Sequence, residues 1–244
     1  MASELAWLAD QVNGVTRAGG KDFKGETFKL TKDIDLGGER WTPIGATGKF
    51  LGTFDGQNHT VANLVVSEDD KTSVGLFANG RVIKNIKVVN ADIRGHYKAG
   101  VIVGDGLCAQ IENCHVENAV VISTPWLTED GYDDGNNVGG IVGYLSAEPT
   151  AYVKKCSVKN AEITAYRKVA GIVGAANGAS EVSGNIVENV TVTADQTAEY
   201  KEVKAAEAGA IVGYKHADAT VDGNTITGGD VIVKLDSVAE MNAR

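Results

Sequence analysis

Two periods of apolar residues run along the chain. In SELAWLADQVNG, Leu5, Leu8, Ala9 and Val12 fall at i, i+3, i+4 and i+7, the spacing of one helical face. With Ser3 as N-cap and Gly14 as C-cap, this predicts an amphipathic helix over 3–14. From about residue 26 to 235 the pattern changes to short β-branched runs bounded by Gly or Asn, which reads as strand. No run between them carries the helical pattern that a βαβ crossover needs.

These runs repeat. AGVIVGD (99–105), VGGIVGY (138–144), VAGIVGA (169–175) and AGAIVGY (208–214) share Gly/Ala-x-Ile-Val-Gly, and VGLFANG (74–80) is an earlier copy with Ala78 at the last glycine. A glycine-rich loop that cradles phosphate occurs once per site, so this recurrence points to architecture. After each copy comes a second pattern: IKNIKVVNADI (83–93), IENCHVENAVV (111–121), VKKCSVKNAEI (153–163), VSGNIVENVTV (182–192) and VDGNTITGGDV (221–231), with VANLVV (61–66) before them. Counted from the first residue, positions 0, +5 and +10 are Ile or Val throughout the five full copies. Position +7 is Asn90, Asn118, Asn160 and Asn189, then Gly228. The copies start at 61, 83, 111, 153, 182 and 221, with the longest steps before 153 and 221.

Short strands repeating at roughly 22–42 residues predict an all-β fold. The expected form is a parallel β-solenoid with three strands per coil, capped by the N-terminal helix, in one domain over 1–244. Like positions on adjacent coils would stack about 4.8 Å apart. Asn fits a corner because it tolerates a left-handed backbone and its amide can bond along the stack, and Gly228 meets the same backbone requirement. A helix over the first coil would cover an otherwise open core and edge.

Bulk properties then exclude classes of function. The net charge of −9 argues against a nucleic-acid partner, which needs clustered Lys and Arg. No run approaches the ~18 apolar residues of a membrane span. No basic-then-apolar leader precedes Met-Ala-Ser, so a signal peptide is expected to be absent or removed, and the chain to be a piece of a longer protein. Three Cys without a CxxC make neither a disulfide scaffold nor a zinc knuckle. No cofactor and no metal is expected.

The segments DIDLGGERWTPIG (33–45), FLGTFDGQNHTVANL (50–64), GLF (75–77) and the later GIVG copies resemble the GLUG-repeat surface proteins of bacteria. These are common in Bacteroides-type gut organisms and are described as adhesin-like or IgA-protease-like. The resemblance covers the chain from the N-terminal helix to about residue 231. It implies a right-handed parallel β-helix in an exported protein, located at the cell surface or outside the cell.

Candidate chemistry is sparse. Asp33, Asp35 and Asp55, with His59 near in sequence, are the carboxylates a glycosidase or lyase would use, yet FDGQNHT reads equally as an Asp-Gly turn. Cys114 and His115 are adjacent, so on a strand they face opposite ways. Cys114 and Cys156 share position +3 with Ile86, which predicts stacked core thiols; Asn185 and Asn224 take that position later.

The informative departures are insertions. From position +10 to the last glycine of the next GxIVG, the connections Ile93 to Gly104 and Ile163 to Gly174 are short and equal. Val121 to Gly143 and Val192 to Gly213 are each about twice as long. Two coils therefore carry extra chain at one corner, with a plain coil between them. The first insertion, 123–137, holds Trp126, Glu129, Asp130, Tyr132, Asp133 and Asp134, aromatic faces beside carboxylates, as a sugar site offers. Tyr132 and Ile141 fall where an EF-hand register from Asp130 needs oxygen ligands, which argues against calcium. The second, 194–208, is charged and reads as a short helix. The sequence thus points to a non-catalytic module recognising a host or bacterial surface glycan or protein. A polysaccharide-active enzyme is the first alternative and a structural spacer the second.

Overall fold

The computed structural model describes residues 2–14, 19–67, 73–124, 136–146, 150–197 and 206–235. Among these, one helix (Ala2–Asn13) precedes strands that run from Thr27 to Leu235. The strands form a 16-stranded and a 4-stranded sheet, and every strand pairing is parallel. Away from the two ends, strands pair with their counterparts one repeat earlier and one later, a pattern consistent with a parallel β-helix.

Register explains the sequence columns. Ile83 pairs with Ile111, Val153 with Ile111 and Val182, and Val182 with Val221. Val61, Val88, Val116, Val158 and Val187 form a second row, Ile93, Val121, Ile163 and Val192 a third, and all of these are buried. Each buried Val or Ile contributes about 1.5–3 kcal/mol, so the rows are the main source of stability. The first repeat sits differently from the expectation. Val61 pairs with Val88, not Ile83, so VANLVV begins at position +5 and the first step is longer than the one from 61 to 83. The cause is a bulge between Asp55 and His59, where Gln57 (φ 52°) and Asn58 (φ 63°) are extra residues.

Asn90, Asn118, Asn160 and Asn189 all hold φ between 51° and 56°, and Gly228 holds 67°. A second left-handed row, absent from the expectation, is Asn85, Asn113, Lys155, Gly184 and Gly223. In the later repeats this row splits the third strand, so each has four segments where three were expected, such as Val173–Asn177, Glu181–Ser183 and Ile186–Gln196 after Val169–Ala170. The GxIVG glycines serve close packing. A Cβ on Gly143 would stand 2.6 Å from the Asn137 carbonyl oxygen and 2.7 Å from both the Ala99 nitrogen and the Gly104 oxygen. Strands of the two sheets press together there with no room for a side chain.

The helix buries Leu5, Leu8, Ala9 and Val12, the face read from the pattern. It starts at Ala2, so Ser3 lies inside it and is not the N-cap, while Gly14 takes the left-handed end (φ 70°). Asn13 ties the helix end to the strands: its Nδ2 donates to the Pro43 oxygen (3.0 Å) and its Oδ1 accepts from the Gly45 nitrogen (3.0 Å). At the far end, Ile226, Val231 and Val233, which continue the core rows, are about half exposed (55%, 48% and 48%).

Candidate functional site

Trp126, Glu129, Asp130, Tyr132, Asp133 and Asp134 lie outside the described residues, as does 198–205 of the second insertion. Their stems are described. Ser123, Ala165 and Ala194 are in register, as are Val138, Val169 and Ala208. Both insertions therefore leave and rejoin the sheets at one corner, two strands or about 10 Å apart, with the short corner 166–168 between them. The second is shorter than expected, because Ala194–Gln196 still belongs to a strand and pairs with Val233–Leu235.

The first stem is closed by polar bonds. Asn136 is fully buried, and its Nδ2 donates to Ser123 Oγ (2.8 Å) and to the His96 oxygen (3.3 Å). Thr124 Oγ1 is 2.7 Å from His96 Nδ1. At the second stem, Gln196 Nε2 donates to the Tyr166 oxygen (3.3 Å) and Arg167 pairs with Glu207 (3.3 Å). The described ends of both insertions are thus fixed by side chains that no regular strand would require.

Beside each stem a lysine covers a tyrosine. Lys98 Nζ lies 4.3 Å from the ring centre of Tyr144 and 5.1 Å from that of Tyr97, and pairs with Asp105 Oδ2 at 2.7 Å. Lys168 Nζ lies 4.8 Å from the ring centre of Tyr214. Such contacts contribute about 0.5–2 kcal/mol and hold ring and ammonium at fixed places. Asp105, Tyr144, Ala175 and Tyr214 share one row, with buried Ala175 between the two half-exposed tyrosines. Lys98 and Lys168 are separated by the same length of chain as Tyr144 and Tyr214, so one unit of lysine, long insertion and tyrosine occurs twice. The candidate list from sequence omitted these residues. The signal was present: GxIVG copies that follow a long insertion end in Tyr, and those that do not end in Asp105 or Ala175.

The carboxylates of the enzyme alternative are engaged elsewhere. Asp33 Oδ1 accepts from the Thr60 nitrogen (2.9 Å) and contacts His59 Nδ1 (3.0 Å). Asp35 Oδ1 accepts from Asn63 Nδ2 and the Gly37 nitrogen, both at 2.8 Å. Asp55 Oδ1 accepts from Asn85 Nδ2 (2.9 Å) and the Gln57 nitrogen (3.0 Å). For Asp33 the Thr60 amide, and for Asp35 the Asn63 amide, hold the carboxyl below its ordinary range. Burial pushes Asp55 upward, but the bonds from Asn85 and Gln57 and the charge of Lys84 outweigh it and the net direction is down. A general acid needs the opposite shift.

Another cluster was not anticipated. His115 Nδ1 is 2.8 Å from Ser157 Oγ and its Nε2 is 3.0 Å from Asn113 Oδ1. Asn113 Nδ2 donates to Asn85 Oδ1 (2.9 Å), so its Oδ1 faces the imidazole and can only accept. The proton therefore sits on Nε2, and Nδ1 accepts from the Ser157 hydroxyl. Burial, with the charge of Lys87, lowers the imidazole pKa and favours this neutral form. Cys114 and Cys156 are buried, free and stacked, as the shared column predicted. Among the described residues, no group of three or more His, Cys, Asp or Glu is placed to hold a metal ion, and no helix is long and apolar enough to cross a membrane.

No family model matches the chain. It is similar to halomucin of Haloquadratum walsbyi, 29% identical over 137 residues, which is 49% of this chain and 1% of halomucin. In structure it is similar to a candidate immunoglobulin A1 protease from Bacteroides ovatus, with a TM-score of 0.60 at 21% identity. The match covers 87% of this chain and 66% of that protein, so the chain spans just under two thirds of it. At this identity the likeness speaks to the fold alone.

Proposed function

We propose that the chain is a non-catalytic recognition module of the GLUG-repeat type, wound as one right-handed parallel β-helix with a helical cap, and that it acts at a cell surface or outside the cell. The observation that carries this reading is the doubled unit of long insertion and lysine-covered tyrosine on one edge. A ligand lying along that edge would meet Tyr144 and Tyr214 about 10 Å apart, and Trp126, Glu129, Asp130, Tyr132, Asp133 and Asp134, which belong by sequence to the insertion before Tyr144, are proposed to add to the contact. Two linked contacts strengthen binding by raising effective concentration, which favours an extended polymer, a glycan chain above all. A glycan array probed with wild type, Trp126→Ala and Tyr144→Ala/Tyr214→Ala tests it. Binding by wild type that both variants weaken is expected; binding unchanged in both would place recognition elsewhere.

One observation favours a second reading, a hydrolase. Ser157, His115 and Asn113 stand as a nucleophile, its base and the group that orients the base. The contact with His115 would activate the Ser157 hydroxyl for attack on an ester or amide carbonyl. Labelling of Ser157 by a fluorophosphonate, lost in His115→Ala, would support it. No labelling of folded protein would leave the cluster as a strand-face contact.

A further inference from the structure

At the N-terminal end of the same row, a cavity of about 310 Å³ is lined by Lys49, Leu51, Asn79, Arg81, Asp105 and Leu107 among others. Its polar groups are unlike those of an ordinary surface hollow. Lys49 is exposed and Arg81 half-exposed, and neither forms an ion pair with a described residue. In a chain of net charge −9, two uncompensated cations at one cavity create a local attraction for an anion. Asp105 places its Oδ2 on Lys98 at 2.7 Å, while its Oδ1 is buried and without a hydrogen-bond partner among the described residues. A ligand hydroxyl can therefore meet this carboxylate only at Oδ2, which keeps lone-pair capacity beside its bond to Lys98. Leu107 is 50% exposed on the rim, an apolar surface that gains from being covered.

We propose that this cavity binds a saccharide unit bearing a carboxylate, of the uronic-acid class. The carboxylate meets Arg81 as a two-point hydrogen-bonding partner, with Lys49 adding charge. Ring hydroxyls meet Asn79 and donate to Asp105 Oδ2, and the C–H face of the sugar covers Leu51 and Leu107. The ligand class rests on the glycan reading above, but the site is separate from the tyrosine pair and can fail separately.

The test uses the free sugars galacturonate and galactose, titrated into the whole chain and followed by calorimetry and by NMR saturation transfer. The expected result is binding of galacturonate on the order of 1 mM, at least tenfold weaker for galactose. Arg81→Gln and Lys49→Gln, both side chains free of described partners, each weaken galacturonate at least threefold at an unchanged melting temperature. Tyr144→Ala/Tyr214→Ala leaves this binding intact. Equal binding of the two sugars, no binding at 20 mM (about 20 times the expected dissociation constant), or galacturonate binding unchanged in Arg81→Gln overturns the proposal. If Arg81→Gln alone loses galacturonate while the tyrosine variant binds array glycans like wild type, the edge reading fails and this one stands.

Discussion

Asn90 donates from Nδ2 to Oδ1 of Asn63 at 3.3 Å, and the two residues hold φ of 55° and 57°. The same bond continues from Asn118 to Asn90, Asn160 to Asn118 and Asn189 to Asn160, each at 3.4 Å. All donors point toward the N-terminus, where Asp35, an acceptor only, receives the last bond from Asn63. At the other end Gly228 closes the ladder, meeting the same left-handed backbone at φ 67°.

Asn118 is exposed, so replacing it isolates the ladder from the core. Asn118→Leu loses two long hydrogen bonds and forces a branched side chain into the left-handed region, a combined cost of about 2–3 kcal/mol. Asn118→Gly keeps the backbone and costs about 1 kcal/mol or less. Urea denaturation of the two variants against wild type measures the difference; equal losses would mean that the backbone requirement is not what selects asparagine.

Asp33, Asp35 and Asp55 have folded pKa values below their unfolded ones. A depressed carboxylate stabilises the fold above its unfolded pKa, about 3.9, and that contribution is lost as pH falls through the folded value. Stability should therefore decline below about pH 4. Asp35→Asn/Asp55→Asn should flatten that decline while lowering stability at pH 7. Melting temperatures at pH 2.5, 4 and 7 would show it, and parallel pH profiles in mutant and wild type would refute the role given to these carboxylates.

Gly143→Ala inserts a methyl group among three backbone atoms that have no rotamer with which to yield. Overpacking at such a contact costs about 1–3 kcal/mol. Gly25→Ala has open space around it and pays only for its left-handed φ of 88°, a penalty of about 1–2 kcal/mol. The Gly143 variant should in addition loosen the junction between the two sheets. Hydrogen exchange of the Val138 and Val169 amides should then speed up in Gly143→Ala and stay unchanged in Gly25→Ala.

How much of this was legible follows from how many residue types satisfy each position. Burial and strand geometry fill rows such as Ile83–Ile111–Val153 with Ile or Val in every repeat after Phe54, so those columns are plain in the sequence. The left-handed row of Asn90 is plain because Asn fills it five times, from Asn63 to Asn189, before Gly228. The parallel left-handed row is hidden because Asn, Lys155 and Gly all fill it, with only the backbone in common. The first repeat resists alignment because the bulge at Gln57 and Asn58 adds residues without changing composition. Insertions declared themselves by length. Tyr144 and Tyr214 did not, since each closes a motif whose glycines are structural.

The column of Cys114, Cys156, Asn185 and Asn224 gives the last prediction. The last three side chains each accept a backbone N–H from the repeat before: Cys156 Sγ from the Cys114 nitrogen (3.4 Å), Asn185 Oδ1 from the Cys156 nitrogen (2.8 Å) and Asn224 Oδ1 from the Asn185 nitrogen (2.9 Å). The Cys156 and Asn185 amides lie where the strands break beside the second left-handed row, so the regular ladder does not serve them, whereas Cys114 lies within the continuous strand Gln110–Ser123. Asn185 is fully buried, and its Nδ2 also donates to the Val153 oxygen (3.0 Å). Asn185→Leu strands the Cys156 amide and should cost about 2–4 kcal/mol, since an unmade buried bond carries the full desolvation penalty. Cys156→Asn supplies a stronger acceptor to the Cys114 amide and should be tolerated within about 1 kcal/mol, whereas Cys156→Val removes the acceptor at similar volume and should cost more. Burial also pushes the Cys114 thiol well above its ordinary range, so iodoacetamide at pH 8 should leave it unlabelled in the folded protein. A Cys156→Val variant as stable as wild type would show that the thiol fills space and accepts nothing.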